Sequence, residues 1–316
     1  MGSPLTPALL QAFFNQADMR YNRAYKRRKV FWNLFAELCP SGTEANIYNW
    51  LAEMPDLRPW VGEKVLNNLK ARAYPLTNAD WEHTYTFDRN KIEDDQAGIY
   101  MSQADLQGDA AARWPDRMVT NALFAATTAV GFDGNPFFYN SHPIDIDNPG
   151  LGTYSNLLTS SPLNQANYAA AKAAMRSFEG ESGIPLEVSP TLLMVPPALE
   201  QIGKEIINAA TIVRTVQNVA ATENVAAAGV SNVFQGDLTL VVNERLAADP
   251  TQNAWYLFST DRIKPFIFQQ RKAPTRIPIT DPTNPLVFNQ RKFAYSVEAR
   301  GAAGVSLPFL AIKCTP

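Results

Sequence analysis

Apolar and polar residues alternate most regularly at residues 81–88. An aromatic ring or an imidazole occupies every second position: Trp81, His83, Tyr85 and Phe87. The positions between them are polar, so the alternation predicts a β-strand with one aromatic face and one polar face. Because Pro75, Asn78 and Asp80 supply turn chemistry before this strand, we predict that it pairs with residues 60–76 in a long hairpin that closes near residue 92.

A helical spacing of apolar residues follows at 103–130. The residues expected along one side of that helix are Leu106, Ala110, Trp114, Met118, Ala122, Leu123, Ala126 and Val130. Glu93, Asp94 and Asp95 precede the helix and suit a helix N-terminus, where carboxylates interact favourably with the dipole. Because proline removes one backbone hydrogen bond and clashes with the preceding turn, Pro115 predicts a kink or a break into two helices.

The N-terminal segment combines a basic cluster with an apolar repeat. The cluster consists of Arg20, Arg23, Lys26, Arg27, Arg28 and Lys29. The apolar residues are Val30, Phe31, Leu34, Phe35 and Leu38, and their spacing predicts an amphipathic helix after a mobile arm. The basic cluster either contacts DNA or an acidic scaffold, or is a solvated helix face, and the pattern by itself favours the solvated face.

The rest of the chain alternates between helical and extended patterns. Asn164 and Gly180 delimit a predicted helix at 164–178, and Pro196 and Pro197 open another. The predicted strands lie at 192–195, 238–242, 255–258, 265–269, 293–298 and 305–312. Residues 219–236 are rich in Ala, Asn and Gly and are predicted to form an exposed loop. Because helices and strands are partly segregated along the chain, the predicted fold class is α+β.

Composition narrows the classes of function. The 316 residues are 46% hydrophobic, which is typical of a folded protein with a substantial core. With 28 Lys and Arg residues against 30 Asp and Glu residues, the net charge is -2, so any contact with DNA would be local. The longest apolar stretch, near residues 119–132, is interrupted by polar residues and Gly, so we expect neither a membrane span nor a signal peptide.

Candidate catalytic and metal-binding residues are sparse. Only His83 and His142 are available as histidine acids or bases, and pairing of His142 with Cys39 as a nucleophile has no local support. Cys39 and Cys314 stand far apart without metal-ligand spacing. Asp145 and Asp147 resemble the opening of a calcium loop, but Pro149 and Asn156 replace the ligands expected later in that loop. The sequence therefore predicts no enzyme, no cofactor and no metal site.

Three blocks of residues in a fixed order cover residues 45–313. The first contains Trp60, Gly62, Glu63, Tyr74, Asn78, Trp81, Glu82, Thr84, Asp88, Arg89, Ile92, Glu93, Asp94, Asp95, Gly98 and Tyr100. The second contains Trp114, Pro115, Asp116, Gly131, Asp133, Gly134, Phe137, Phe138, His142, Pro143, Tyr154, Ser155 and Asn156. The third contains Leu192, Val195, Pro196, Leu199, Trp255, Tyr256, Leu257, Pro265, Phe266, Gln269, Arg271, Ala299, Arg300 and Gly301. In order and spacing these blocks resemble the Mu-like major head subunit family of tailed phages and prophages, and through it the Hong Kong 97 capsid fold.

The resemblance implies an α+β capsid subunit with five parts. These are an N-terminal arm at 1–50, an extended hairpin or E-loop at 51–95, a peripheral domain with the spine helix at 96–184, an axial domain at 185–260, and return strands of the peripheral domain at 261–316. Such a major capsid protein is expected to assemble into hexamers and pentamers of an icosahedral head around double-stranded DNA. An encapsulin-like nanocompartment shell of the same fold is the alternative.

The resemblance also implies partners and a location. The expected partners are other copies of the chain, scaffold or protease, portal and decoration proteins, and packaged DNA through weak contacts, with no membrane. The expected location is the virion, after synthesis in the cytoplasm of the bacterial host. No motif identifies the residues of a covalent cross-link between subunits.

Three groups of residues are the candidate functional sites. Trp81, Tyr85 and Phe87 on the predicted hairpin are expected at an interface between subunits, because a lone two-stranded hairpin is marginally stable in water. Residues Arg20, Arg23, Lys26, Arg27, Arg28 and Lys29 are candidates for contact with DNA or scaffold. Pro115 is a candidate hinge for rearrangement of the spine helix.

Overall fold

The computed structural model describes residues 7–51, 71–88, 90, 99–180, 183–215, 227–249, 253–281 and 283–316. The helices of these residues are α1 (Pro7–Arg27), α2 (Ile99–Ala112), α3 (Trp114–Ala125), α4 (Gln165–Arg176), α5 (Glu200–Asn208) and α6 (Pro285–Gln290). The strands are β1 (Ala36–Pro40), β2 (Ala45–Leu51), β3 (Ala71–Thr77), β4 (Ala79–Asp88), β5 (His142–Pro143), β6 (Thr153–Tyr154), β7 (Leu157–Leu158), β8 (Leu192–Val195), β9 (Thr211–Thr215), β10 (Ala227–Ser231), β11 (Thr239–Val242), β12 (Trp255–Phe258), β13 (Phe266–Ile279), β14 (Lys292–Val305) and β15 (Ala311–Cys314). None of the described helices has the length and apolar character needed to cross a membrane.

A four-stranded sheet contains the strand with the aromatic face. Its order is β1-β13-β14-β4, with β1 parallel to β13 and the other pairs antiparallel. Strand β4 confirms the prediction for residues 81–88. The predicted hairpin partner is wrong, because Phe87 lies opposite Phe293 of β14, and Tyr74 of β3 lies opposite Tyr48 of β2. The sequence stretch around Trp60 lies outside the described residues.

A five-stranded sheet with two helices forms the second layered unit. Its order is β11-β8-β12-β15-β7. Helices α4 and α5 pack on it, with Tyr168, Met175 and Ile206 in one apolar cluster with Trp255. The cap of α4 is as predicted, since the Asn164 side chain accepts a hydrogen bond from the backbone N–H of Asn167. The helix predicted after Pro196 is also confirmed, as a 3₁₀ turn that leads into α5.

One apolar cluster joins the two larger sheets. It contains Met194 and Tyr256 from the five-stranded sheet and Phe268 from the four-stranded sheet, and Val119 and Leu123 of α3 lie between them. All five side chains are almost completely buried. Mixed helices and sheets packed on a shared core are consistent with the predicted α+β class.

Helix α1 is docked on the body of the subunit. Phe14 packs in edge-to-face contact with Phe293 and Tyr295, at centroid distances of 5.4 and 5.6 Å. Gly108 of α2 allows close approach, because a Cβ atom there would lie 2.4 Å from the backbone oxygen of Tyr21. The prediction of an amphipathic helix after a mobile arm is therefore wrong at this element: the helix comes first.

Residues 30–38 form a short 3₁₀ turn and strand β1 instead of the predicted helix. Their apolar spacing fits a helix locally, but Ala36 pairs with Phe266 and the ring of Phe35 stacks on Phe258 at 5.5 Å. Burial against strands more than 200 residues away outweighs the weak local helix propensity of this segment.

Two further boundaries differ from the sequence prediction. Part of the predicted loop at 219–236 is strand β10, which pairs with β9, while residues 219–226 lie outside the described part of the chain. The predicted strand at 305–312 is interrupted by a 3₁₀ turn at Pro308–Leu310, because Pro308 has no N–H to donate to a ladder.

The predicted long helix is broken into α2 and α3 at Arg113. Pro115 lies in the first turn of α3, where a missing N–H costs no helical hydrogen bond. The predicted apolar side holds for the buried Trp114, Leu123 and Ala126, but Leu106 is 65% exposed. The acidic residues 93–95, predicted to precede this helix, lie outside the described residues.

Candidate assembly and nucleic-acid surfaces

The aromatic residues of β4 are largely engaged within their own subunit. Phe87 is 2% exposed and meets Tyr85 edge to face at 4.7 Å, with Tyr295 at 5.8 Å. Trp81 is partly buried, and its indole Nε1 donates to the backbone oxygen of Gly301 at 3.3 Å. Phe87 thus packs within its own subunit. A contact of Trp81, Tyr85 or Phe87 with a neighbouring subunit stays a prediction.

A network around Gln269 anchors the base of the β2–β3 pair. The buried side chain of Gln269 donates to the backbone oxygen of Leu76 at 3.0 Å and to Asn78 Oδ1 at 2.8 Å, and it accepts from the Tyr48 hydroxyl at 2.9 Å. Gly304 allows the side chain of Tyr74 to pack closely against β14, because a Cβ atom at position 304 would lie only 3.0 Å from the Tyr74 hydroxyl. The antiparallel pair is thus fixed to the four-stranded sheet near the start of β2 and the end of β3.

A cationic contact holds α1 and its basic residues in place. The guanidinium of Arg276 on β13 lies 3.8 Å from the centroid of the Tyr295 ring and forms an ion pair with Asp18 of α1. The Arg276 side chain is 6% exposed. Because burial of an unpaired charge would be costly, Asp18 and the aromatic ring stabilise this position of α1.

The structure brings the predicted basic cluster against an acidic face of α2. Arg20 and Arg23 lie 3.4 and 3.9 Å from Asp105, and Arg27 lies 3.9 Å from Asp109. The side chains of Arg23 and Arg27 remain more than two-thirds exposed. The other members, Lys26, Arg28 and Lys29, are exposed and form no ion pair with another described residue. Half of the cluster is therefore charge-compensated within the subunit.

Arginines that the sequence did not single out extend this basic region. Arg113 and Arg117 lie at the start of α3, and Arg245 approaches them from a 3₁₀ turn after β11. Burial and the neighbouring Arg117 and Arg113 lower the pKa of Arg245 from its usual value. The three line a cleft of about 260 Å³, in which the Arg117 guanidinium lies 5.3 Å from the centroid of the Trp81 ring. Because Arg245 is more than 120 residues from Arg113, only the fold reveals this group.

Asp116 links α3 to the segment before β1. Its Oδ1 accepts hydrogen bonds from the backbone N–H groups of Phe31 and Trp32, at 3.0 and 2.8 Å. Burial raises the pKa of the Asp116 carboxyl above its usual value. The carboxylate therefore fixes the backbone of Phe31 and Trp32 near Arg113 and Arg245.

His142 is a structural histidine. It is completely buried, its Nδ1 lies 2.6 Å from Asp133 Oδ2, and its Nε2 lies 3.2 Å from both Asn156 Oδ1 and the backbone oxygen of Phe137. Both ring nitrogens are therefore occupied without Cys39. Burial also raises the pKa of the Cys39 thiol, which disfavours the nucleophilic thiolate.

The calcium-like motif forms an ordinary turn. Asp145 Oδ1 accepts a hydrogen bond from the backbone N–H of Asp147 at 2.8 Å, an arrangement that fixes loop conformation. Within the described ranges, no three His, Cys, Asp or Glu side chains are grouped as metal ligands would be.

Comparison with known proteins places the chain among capsid subunits. The family model of the Mu-like prophage major head subunit gpT matches residues 10–162, 158–246 and 230–315. The chain is 25% identical over 301 residues to the Mu-like prophage FluMu major head subunit of Haemophilus influenzae, covering 95% of this chain and 71% of that protein. It is 29% identical over 165 residues to the major capsid protein of Escherichia phage Mu, covering 52% of this chain and 53% of that protein.

Solved structures show the same type of fold. A chain in the procapsid of bacteriophage JBD30 is 25% identical, with a TM-score of 0.57 over 99% of this chain and 76% of that chain. An encapsulin complex from Synechococcus elongatus is 8% identical, with a TM-score of 0.50 over 90% of this chain and 85% of that chain. The second likeness concerns the fold alone.

Proposed function

Because the chain belongs to the Mu-like prophage major head subunit gpT family, we propose that its copies assemble into hexamers and pentamers of an icosahedral head that encloses double-stranded DNA. Family membership makes it a major capsid protein, a structural protein of a phage virion. The observation that carries the proposal is the family match from residue 10 to residue 315, together with a fold similar to that of a procapsid subunit.

Repetition is the physical basis of the proposed assembly. A closed shell repeats each interface between subunits many times, so that contacts too weak to hold one pair stabilise the whole wall. A subunit suited to this task needs a rigid body and extended parts that reach its neighbours. The shared core of the two larger sheets supplies the first requirement.

We propose that the extended hairpin rises from the β2–β3 pair and not from β4. The Gln269 network fixes the base of this pair, and Ile47 within it is 65% exposed. Because a two-stranded sheet is marginally stable in water, a neighbouring subunit is expected to complete it. Trp81, three residues after Asn78, would then lie beside the hairpin base, whereas Tyr85 and Phe87 lie towards the far end of β4, next to Tyr295.

We propose that the exposed members of the basic cluster on and after α1 contact DNA or an acidic scaffold. Lys26, Arg28 and Lys29 support this role, because they have no ion-pair partner among the described residues. Arg20, Arg23 and Arg27 are better explained as contacts between α1 and α2. Contacts of this kind with a polyanion are non-specific and weaken as salt rises.

Family membership also supports further partners and a place of synthesis. Scaffold or protease and portal proteins are the proposed partners, decoration proteins are a further candidate, and synthesis would take place in the cytoplasm of the bacterial host. An encapsulin-like compartment is the alternative, and it rests on likeness of fold at 8% identity. The contents of purified particles distinguish the two: nucleic acid for a head, a protein cargo for a compartment.

Electron microscopy of the purified chain tests the proposal directly. Expression with the scaffold and protease genes of the same prophage should give regular icosahedral particles. Pentamers and hexamers should be visible in their averages. A small oligomer of uniform size under every condition of salt, pH and protein concentration would contradict the proposed assembly.

A further inference from the structure

The cleft between β4 and the junction of α2 and α3 is lined by more cationic than anionic side chains. A negatively charged ligand would therefore be stabilised there. Arg113, Arg117 and Arg245 converge there, and none of them forms an ion pair with another described residue. Glu82 also lines this cleft. An adjoining cleft shares Arg113 and Arg245 and contains Asp116, which partly offsets the charge of Arg245. Glu244, Arg28 and Lys29 line it too, so cationic side chains still outnumber anionic ones. Three guanidinium groups that repel one another are stabilised by an anionic ligand.

Two buried polar side chains in the lining lack hydrogen-bond partners. Gln107 is 2% exposed and Trp114 is 6% exposed, and both residues line the cleft. Among the described residues, Gln107 Oε1 has no donor and Trp114 Nε1 has no acceptor. Because buried polar atoms are nearly always paired in native proteins, these two atoms leave one acceptor and one donor in the cleft for water or for a ligand that displaces it.

The combination favours an acidic peptide over nucleic acid. A peptide offers backbone N–H groups to Gln107 and carboxylate oxygens to Trp114 and to the arginines. A phosphodiester offers acceptors only. Carboxylates also match the forked geometry of guanidinium groups, which allows paired hydrogen bonds.

We propose that the cleft binds the acidic run Glu93, Asp94 and Asp95 of a second copy of this chain. This inference rests on the proposed shell, in which each copy of the chain has neighbours of identical sequence. The run is the only place in the sequence with three consecutive acidic residues. Its charge is therefore complementary to the three arginines.

Charge reversal on each side tests the pairing. One variant carries Arg113→Glu and Arg245→Glu, and the other carries Glu93→Lys, Asp94→Lys and Asp95→Lys. Each alone should reduce the fraction of subunits in shells at least about tenfold, because like charges across an interface are costly. A single chain that carries all five substitutions should restore shells, since its lysine run then matches the reversed cleft of every neighbouring copy.

Controls separate this pairing from its alternatives. Arg176→Glu with Arg262→Glu reverses two exposed arginines that form no ion pair with another described residue, and it should assemble like the wild type. The milder Arg113→Gln with Arg245→Gln should weaken assembly in the same direction while keeping the circular dichroism and unfolding midpoint of the wild type. Failure of the combined variant to restore shells would overturn the pairing, as would a reversed cleft that assembles normally. A lower unfolding midpoint of the dissociated subunit in either single reversal would place the contact within one chain and would also overturn it. Normal shells with a reduced DNA content would assign the cleft to nucleic acid and would also overturn it. If the wild type forms no shells, that result contradicts the proposed function and this inference with it.

Discussion

At the scale of single residues, burial separates phenylalanines that a sequence pattern treats alike. Phe87 on β4 is 2% exposed and lies in an aromatic cluster with Phe14, Phe293 and Tyr295. Phe288 on α6, between β13 and β14, is 77% exposed. The free energy of folding should therefore depend strongly on the first ring and little on the second.

Replacement of Phe87 should damage folding before it damages assembly. Phe87→Ala is expected to lower the free energy of unfolding by about 3–5 kcal/mol, because it removes a fully packed ring and leaves a cavity. Phe288→Ala, the matched control, should change it by less than about 0.5 kcal/mol. Urea denaturation of the dissociated subunit measures both values. Equal stability of the two variants would contradict the packing described for β4.

A second residue-scale prediction concerns acid stability. Burial alone would raise the pKa of Asp133, but the hydrogen bond and charge of His142 outweigh it and hold this pKa below the usual 3.8. A lowered carboxyl pKa contributes stability that is present above the unfolded value and is lost as pH falls through the folded value. The stability difference between the wild type and Asp133→Asn should therefore shrink between about pH 6 and about pH 3. Denaturant titrations at both pH values check this, and a difference that stays constant would count against the ion pair.

At the scale of elements, the backbone at the junction of α2 and α3 keeps helical angles but lacks the hydrogen bond that the nitrogen of Pro115 cannot donate. Arg113 keeps right-handed helical backbone angles between the two helices, with φ -80° and ψ -7°. Pro115 follows in the first turn of α3, so its cost is far below the roughly 3 kcal/mol of an interior proline. A break that costs little is suited to bending.

The hinge role of Pro115 stays a prediction, and Pro115→Ala tests it. Alanine restores an N–H that can bond to Ala111, so α2 and α3 should join into one straighter helix of higher local stability. The balance between compact and expanded shells should then shift, as measured by the temperature at which purified compact shells expand. Asn121→Gln, at an exposed position of α3 outside the cleft, is the control. Expansion at the wild-type temperature would leave Pro115 as an ordinary first-turn proline.

Local patterns predicted elements, whereas long-range pairing did not follow from them. The alternation of β4 and the Asn164 cap of α4 lie within a few residues, and both predictions are confirmed. The partner of β4 is β14, which begins more than 200 residues later, and no local signal specifies it. The arginine cleft depends in the same way on Arg245, which reaches Arg113 only in the folded chain. Sequence alone therefore predicted the basic cluster but not the contacts that neutralise half of it.

At the scale of the whole molecule, a net charge of -2 conceals a strongly basic region. Arg28 and Lys29 lie beside Arg113 and Arg245, and cationic side chains outnumber the acids Glu82, Asp116 and Glu244 that line the same two clefts. A local field of this kind attracts a polyanion without making the subunit basic as a whole.

Neutralising the free cations should weaken DNA retention and spare the shell. Lys26→Gln, Arg28→Gln and Lys29→Gln together should leave unfolding and particle yield unchanged. They should also reduce the slope of log affinity against log salt by about 0.9 for each phosphate that the variant no longer neutralises. Binding of a short duplex to disassembled subunits over a salt series measures the slope. Arg176→Gln with Arg262→Gln is the control, and an unchanged slope in the triple variant would identify the cluster as a solvated face.

The pairing of β4 with β14 also determines how long β4 remains without its partner strand during translation. Phe87 emerges from the ribosome 206 residues before Phe293, the residue it faces in the sheet. At bacterial rates of about 5–20 residues per second, the aromatic strand waits roughly 10–40 seconds for its partner. During that interval a nascent chain presents an unpaired, ring-rich strand, a typical seed for aggregation. Demand for chaperones should therefore begin during translation, before the subunit has finished folding.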